Sequence, residues 1–326
     1  MSTRISVIGG AGFVGSAHTR MLLRPEGPGD AESMVMRKTL VTGAGGMLGR
    51  DVTAALRAAG HRVVPLPHGR LDITSSAAVR DALRAHAPDA VVNCAAFVDV
   101  DAAETNEATA LRINGDGVRH LATACAETRT RLLHVSTDYV FAGDSGAPYA
   151  ESAPADPRTA YGRTKLAGER AVLELLPHTG TVVRTAWLYG SGGSHFVATV
   201  ARLAHAAESG GWPRPIGVVD DQRGQPTWTW DVAVRLAELL GRSPIPGVLH
   251  ATNGGEATWY GLAREVVALL GLDPDLVRPI GSEELGRPAV RPARSTLSHE
   301  RWAREGFSPM RHWRAALHAA WPTLGL

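Results

Sequence analysis

The sequence predicts an α/β protein built on a doubly wound parallel sheet, followed by a smaller C-terminal domain. Three observations carry this expectation. Apolar runs of strand length alternate with helical patterns from Lys38 onward, a glycine-rich turn joins the first strand to the first helix, and the alternation loosens beyond Gly190.

The first strand reads Thr39-Leu40-Val41-Thr42, and the first helix runs from about Met47 to Ala59, with Gly60 placed to end it. His61 to Leu66 makes the second strand. A helix follows from Ser75, an N-cap candidate, to His86. Pro88-Asp89 then introduces Ala90-Val91-Val92-Asn93, a run apolar on both faces and therefore a buried strand. Glu107 to Ala126 reads as one helix, Arg131 to Ser136 as a strand, Tyr161 to Leu176 as a helix and Thr181 to Ala186 as a strand. Beyond Gly190, Pro and Gly breaks separate helices near 195–207, 230–240 and 259–270. The expected organisation is an N-terminal extension over 1–36, a nucleotide-binding domain over 37–190 and a mainly substrate-binding domain over 191–326, some of whose segments return to the sheet. Ile5 to Gly15 imitates a second strand-turn-helix opening, but the Pro/Gly/acidic stretch from Arg24 to Ser33 leaves it incomplete, so a flexible extension is expected.

The whole chain narrows the function classes. With 326 residues, 44% hydrophobic and 20% charged, it is long enough for one large globular unit or two modest domains. A formal net charge of +2 lacks the basic surplus that nucleic acid or an anionic membrane needs, so the expected partners are small molecules or protein. No window reaches the length of a membrane span, and four glycines between Arg4 and Ala17 make a poor signal-peptide core. Cys94 and Cys125 sit in an apolar run and an Ala-rich helical pattern, which suits reduced thiols and a cytoplasmic location.

Three constellations carry chemistry. Thr42-Gly43-Ala44-Gly45-Gly46-Met47-Leu48-Gly49 spaces glycines as Gly-x-x-Gly-x-x-Gly between a strand and a helix. Glycine permits the tight turn and close backbone approach, while the helix amides attract phosphates. In this strand-turn-helix context the pattern predicts a Rossmann-type dinucleotide site, with a glycine-rich turn as the plain reading. The second strand ends in Pro65-Leu66-Pro67-His68-Gly69-Arg70, without the acid that favours NAD. His68 and Arg70 suit a 2′-phosphate, so NADPH is expected, with NADH as the alternative and a solvated loop as the plain reading. Asp72 is either an adenine-side contact or a turn residue.

Tyr161-Gly162-Arg163-Thr164-Lys165 places a phenol and an ammonium at i and i+4 on one helix face. A nearby ammonium lowers a phenol's pKa and makes it a useful acid. Given the Tyr and Lys content, the chance expectation of this spacing is only about 0.03 per chain. Lys38 and Lys165 are the only lysines in the chain, the other basic residues all being arginine. Upstream, Leu132-Leu133-His134-Val135-Ser136-Thr137-Asp138-Tyr139-Val140-Phe141 leaves a buried strand at its C-terminal end, where open α/β sheets bind ligands. Thr137 is placed there to hold a carbonyl oxygen. No His/Cys cluster with metal spacing and no Gly-x-Ser-x-Gly elbow appears.

From Arg37 to the C-terminus these residues resemble the extended short-chain dehydrogenases and, within them, the dTDP-4-dehydrorhamnose reductase family. The resemblance rests on Val92-Asn93-Cys94-Ala95-Ala96, Val100-Asp101-Ala102-Ala103-Glu104, the segments around Thr137 and Tyr161, and Arg184-Thr185-Ala186-Trp187-Leu188-Tyr189. It continues through Asp221-Gln222-Arg223-Gly224-Gln225-Pro226-Thr227 and Arg291-Pro292-Ala293-Arg294-Ser295-Thr296-Leu297. It implies hydride transfer from NAD(P)H to C4 of a dTDP-4-keto-6-deoxy-L-hexose, with Thr137, Tyr161 and Lys165 as the catalytic triad.

The resemblance further implies cofactor contacts from Gly43, Gly46, Met47, Leu48, Gly49, His68, Arg70, Asp72, Ile73, Ala95, Ala96, Tyr161 and Lys165. Substrate contacts are implied for Val100, Thr137, Asp138, Tyr139 and Trp187, with Arg291 at the pyrophosphate; core packing is the alternative for Trp187. Part of the family forms a metal-bridged dimer through glutamates where this chain has Asp51 and Pro215, so no metal is expected, and the chain is expected as a monomer or homodimer. The other readings are a reductase of a related keto sugar nucleotide, as in dTDP-dihydrostreptose synthesis, or a non-catalytic NADP-binding regulatory subunit.

Overall fold

The computed structural model describes residues 37–212 and 214–326, so the expectations for the N-terminal extension lie outside the described residues. The strands are β1 (Lys38–Thr42), β2 (Arg62–Leu66), β3 (Ala90–Asn93), β4 (Arg131–Thr137), β5 (Gly180–Thr185), β6 (Ile216–Val219), β7 (Gly247–His250) and β8 (Val277–Ile280), with two-residue strands between them. Six of these form one parallel sheet in the order β7-β5-β4-β3-β1-β2. The chain leaves β1 toward β2 and then crosses to β3 on the other side. That reversal opens a crevice beyond the C-terminal ends of β1 and β3, where doubly wound sheets bind ligands.

Alternation along the strands explains why both faces are covered. Val41, Val92, Leu133 and Val183 turn to one face, where they pack with Leu48, Val52 and Leu56 of α1 (Met47–Ala58). Their neighbours Leu40, Val91, Leu132 and Val182 turn to the other face. There they meet Val79 and Leu83 of α2 (Ser76–His86), Val118 and Leu121 of α3 (Gly117–Thr128), and Val172 of α4 (Ala160–Leu175). Ser75 caps α2 by accepting from the Ala78 amide, as its sequence position suggested.

Two segments beyond Gly190 belong to this sheet. β7 extends it beside β5, and α6 (Thr229–Gly241) packs Val232, Leu236, Leu239 and Leu240 into the same cluster as α1. The remaining C-terminal elements are α5 (Phe196–Glu208), α7 (Trp259–Leu269), α8 (Trp313–Leu324) and the parallel pair β6 and β8. They share a core around Leu262, Val266, Ile216, Val277 and Trp313. Among the described residues no helix is long and apolar enough to cross a membrane.

The helix expected from Glu107 to Ala126 is not continuous. It runs Glu107–Leu111, widens into a π turn over Arg112–Asp116 and resumes as α3. The cause is visible at Asn114, whose side chain accepts from the Phe97 amide at 2.9 Å and donates to the Phe97 carbonyl at 3.0 Å. This side chain ties the helix to the loop after β3, and the extra residue of the π turn aims it there.

Candidate active site

The glycine turn forms a cradle. Gly43 adopts φ +64°, and a Cβ there would lie 2.6 Å from the Ala95 nitrogen, so only glycine lets the turn meet the loop after β3. Gly46 caps α1 without a side-chain acceptor, leaving the amides of Met47, Leu48 and Gly49 to face an anion. His68 and Arg70 are exposed on the turn that follows β2, closed by the Arg70 amide donating to Pro67 O at 2.8 Å. Asp72 closes a turn of its own. Its carboxylate accepts from Thr74 N at 2.9 Å and Thr74 Oγ1 at 2.8 Å, and these bonds hold its pKa below the usual range. The Ile73 side chain is buried in the cluster that holds Leu66, Leu71 and Val79. Ala95 and Ala96 are half-buried beside the cradle.

The catalytic candidates meet where β4 ends. Thr137 is the last residue of β4, and its hydroxyl accepts from the Tyr139 amide at 3.2 Å and donates to Asp138 Oδ1 at 3.1 Å. Thr159 caps α4 by accepting from Gly162 N at 3.0 Å, which fixes the helix start one residue before Tyr161. A Cβ on Gly162 would sit 2.1 Å from Tyr139 O, so the bare glycine lets α4 close onto the turn after Thr137. The Tyr161 ring meets Tyr139 edge-on with centroids 5.7 Å apart. Burial pushes the Tyr161 phenol up to about 12, opposed by a hydrogen bond with Thr137.

The Lys165 ammonium donates to Val135 O at 2.7 Å and lies 3.5 Å from His134 Nε2, partners that the helical spacing to Tyr161 did not indicate. At 2% exposure, burial lowers its pKa to about 8, against the opposing pull of Glu169 and Cys94. One turn on, Glu169 forms a bidentate pair with Arg184 at 2.9 and 2.6 Å, both side chains buried. Asp138 is also internal. It accepts from Thr137 and from Ser295 Oγ, and burial raises its pKa to about 6, so it steadies Thr137 instead of offering a free carboxylate.

On the substrate side, Val100 opens a short helix, Val100–Thr105, and is half-buried. Its neighbour Asp101 grips Arg291 at 3.0 and 2.9 Å and Arg287 at 3.0 Å, which lowers the Asp101 pKa to about 2. Arg291 is therefore held by a carboxylate 190 positions away, a pairing the sequence did not announce. Trp187, at φ +45°, stacks on Trp259 with centroids 3.5 Å apart and planes 5° apart. Beside them lies a cavity of about 680 Å³ lined by Phe196, Leu203, Trp212, Gln222, Trp259 and Arg291, among others. Aromatic walls with two arginines at the rim suit a flat heterocycle carrying an anionic group. Of these lining residues only Arg291 was singled out as a candidate, because Phe196 and Trp259 read as ordinary core positions at the start of amphipathic helices. Among the described residues no group of three His, Cys, Asp or Glu could hold a metal ion, and Asp51 is hydrogen-bonded by Thr229.

Comparison with known proteins adds four findings. The family model described as "RmlD substrate binding domain" matches residues 36–324. A dTDP-4-dehydrorhamnose reductase from Streptomyces griseus is 54% identical over 290 residues, covering 87% of this chain and 93% of that protein. A dTDP-4-keto-6-deoxy-D-glucose reductase from Streptomyces niveus is 50% identical over 285 residues, covering 87% and 96%. A crystal structure of dTDP-4-dehydrorhamnose reductase from Bacillus anthracis in complex with NADP superposes with a TM-score of 0.83 at 33% identity. It covers 88% of this chain and 99% of that one.

Proposed function

This chain belongs to the RmlD substrate binding domain family, and from that membership we propose that it reduces the C4 ketone of a dTDP-4-keto-6-deoxy-L-hexose with NADPH, converting dTDP-4-dehydro-L-rhamnose to dTDP-L-rhamnose. One observation carries the reading: Thr137 at the C-terminal end of β4 and Tyr161 on α4 are brought together where Gly162 closes onto the turn holding Tyr139, with Lys165 one helical turn further on. The surroundings fit a dinucleotide, because Gly43 lets the turn close onto the loop after β3 and α1 begins without a side-chain cap, which leaves its first amides for a phosphate. NADP is bound by the Bacillus anthracis relative, and the exposed His68 and Arg70 favour the 2′-phosphorylated form here.

When bound, the dinucleotide supplies the hydride. The chain's own residues do the rest. Thr137 turns its one hydroxyl proton from Asp138 Oδ1 to the ketone oxygen when substrate binds, while its oxygen keeps accepting from the Tyr139 amide and Ser295 holds Asp138 behind it. Tyr161, whose raised pKa keeps it protonated at neutral pH, gives its proton to the oxygen as negative charge develops there. Lys165 offers its remaining N–H groups to the cofactor ribose and the phenolate left behind. Arg287 and Arg291 supply the positive rim for the substrate diphosphate, with Asp101 keeping them in position.

The test is oxidation of NADPH and NADH by the purified chain against a panel of dTDP-4-keto-6-deoxy sugars. Turnover of the L-mannose-configured ketone with NADPH is expected. Normal cofactor binding without reduction of any member would overturn the reading in favour of a regulatory subunit. A second reading, reduction of a related keto sugar nucleotide in antibiotic biosynthesis, is favoured by the Streptomyces niveus relative, whose name specifies another sugar at nearly the same identity. The panel separates the two readings by which ketone has the highest kcat/KM.

A further inference from the structure

Behind Lys165, a buried line of polar groups crosses β1, β3 and β4, and the reduction itself leaves it without a role. Thr42 Oγ1 donates to Asn93 Oδ1 at 2.6 Å, and the Ala95 amide donates to the same oxygen at 3.1 Å. A backbone N–H can only donate, so the atom it meets is the Asn93 carbonyl oxygen and the opposite atom is the NH2 group. That NH2 donates to His134 Nδ1 at 2.9 Å. Nδ1 therefore carries a lone pair, and a neutral imidazole with its lone pair on Nδ1 has its proton on Nε2. Complete burial, reinforced by the Lys165 charge, holds His134 in the neutral form.

His134 Nε2 lies 3.5 Å from Lys165 Nζ. While Lys165 is an ammonium, two donors face each other across that gap. When Lys165 is an uncharged amine, the same pair becomes an N–H···N hydrogen bond. We propose that His134 is a positioning residue for Lys165. It closes one side of the ammonium so that its N–H groups go only to Val135 O and into the site, and it stabilises the amine after a proton has been passed on. In that step an N–H bond of Lys165 breaks and an O–H bond forms on the Tyr161 phenolate, after the phenol has protonated the product oxygen. No electrons are exchanged with an outside group, and water restores the ammonium.

This role rests on Lys165 belonging to a reductase site, as proposed above. The titratable and charged groups around the amine are Tyr161 and Glu169 on its own helix, His134 on β4, and Cys94 after β3, with Arg184 of β5 bound to Glu169. Glu169 and Cys94 both oppose the lowering of the Lys165 pKa, which burial drives; the His134 Nε2–H, 3.5 Å away, adds a donor that faces the amine.

The chain has only two lysines, so the full-length protein labelled with ¹³C-lysine gives two titration curves, assigned with Lys38→Arg. The Lys165 signal is expected to titrate near pH 8 in the wild type. In His134→Gln, whose amide oxygen can accept from the ammonium, the midpoint should rise by about one pH unit, the size of one net hydrogen bond. Asn93→Asp should also raise it, because a carboxylate captures the Nδ1 proton and turns Nε2 into an acceptor. Ring ¹⁵N shifts should show the Nε2–H form of His134 in the wild type. A wild-type proton on Nδ1, or a Lys165 midpoint unmoved in whichever variants fold, overturns the proposal. If the midpoint moves but the alkaline limb of kcat/KM stays, the coupling between His134 and Lys165 holds and the placement of Lys165 in the reductase mechanism fails.

Discussion

Replacing Gly162 with alanine probes how closely the helix bearing Tyr161 must approach Thr137. The added Cβ would lie 2.1 Å from Tyr139 O and 2.9 Å from Pro157 Cβ. Restoring ordinary contact forces α4 and the turn apart by roughly 1 Å. Alanine gains up to about 1 kcal/mol of helix propensity over glycine. Overpacking against a backbone carbonyl costs about 1–3 kcal/mol, so with the full propensity gain the variant should be less stable in urea by roughly 0–2 kcal/mol. Catalysis should suffer more, because a displacement of about 1 Å between acid and substrate costs on the order of 10²-fold in rate. The assay is kcat/KM for the keto sugar with NADPH, with Gly146→Ala as control, since a Cβ there meets nothing within 4 Å. A Gly162→Ala enzyme within about threefold of wild type would refute the argument that this glycine sets the catalytic spacing.

Two other outcomes follow from buried charge. Glu169→Gln leaves the Arg184 guanidinium without its bidentate partner in a buried setting, so stability should fall by about 3–5 kcal/mol by chemical denaturation, and adding Arg184→Met should recover most of it. Asp138 has a folded pKa of about 6, above the ordinary 3.8, so the folded state binds more protons there and its contribution to stability is present at low pH and lost as pH rises from about 4 through 6. Against Asp138→Asn, which cannot ionise, the wild type should lose up to about 3 kcal/mol of relative stability across that window; parallel stability curves would contradict the assignment.

The sheet was legible because its signals are local. Two-sided apolar runs such as Ala90–Asn93, a glycine turn after β1 and 3.6-residue periodicity each need only a few neighbouring residues to be read. Tyr161 and Lys165 were legible for the same reason, being one helical turn apart. What the sequence hid depends on contacts between distant segments. The π turn at Arg112–Asp116 exists because Asn114 reaches Phe97, and nothing in Arg112-Ile113-Asn114-Gly115-Asp116 announces that loop. Arg291 was expected at a pyrophosphate, but its bidentate grip by Asp101 shows only once the chain is folded. Lys165 was read only against its helical neighbour Tyr161, and its partners on the strand beneath, Val135 O and His134, show only in the folded chain. Isolated in the apolar run of β4, His134 reads as an ordinary strand residue.

The central claim is that Tyr161 delivers the proton to the reduced carbonyl. Pre-steady-state reduction of the dTDP-4-keto sugar by NADPH, compared between wild type and Tyr161→Phe, addresses it most directly. The reduction rate should fall on the order of 10²–10⁴-fold in Tyr161→Phe with cofactor affinity retained, because only the acid is lost. Equal reduction rates in the two proteins would contradict it.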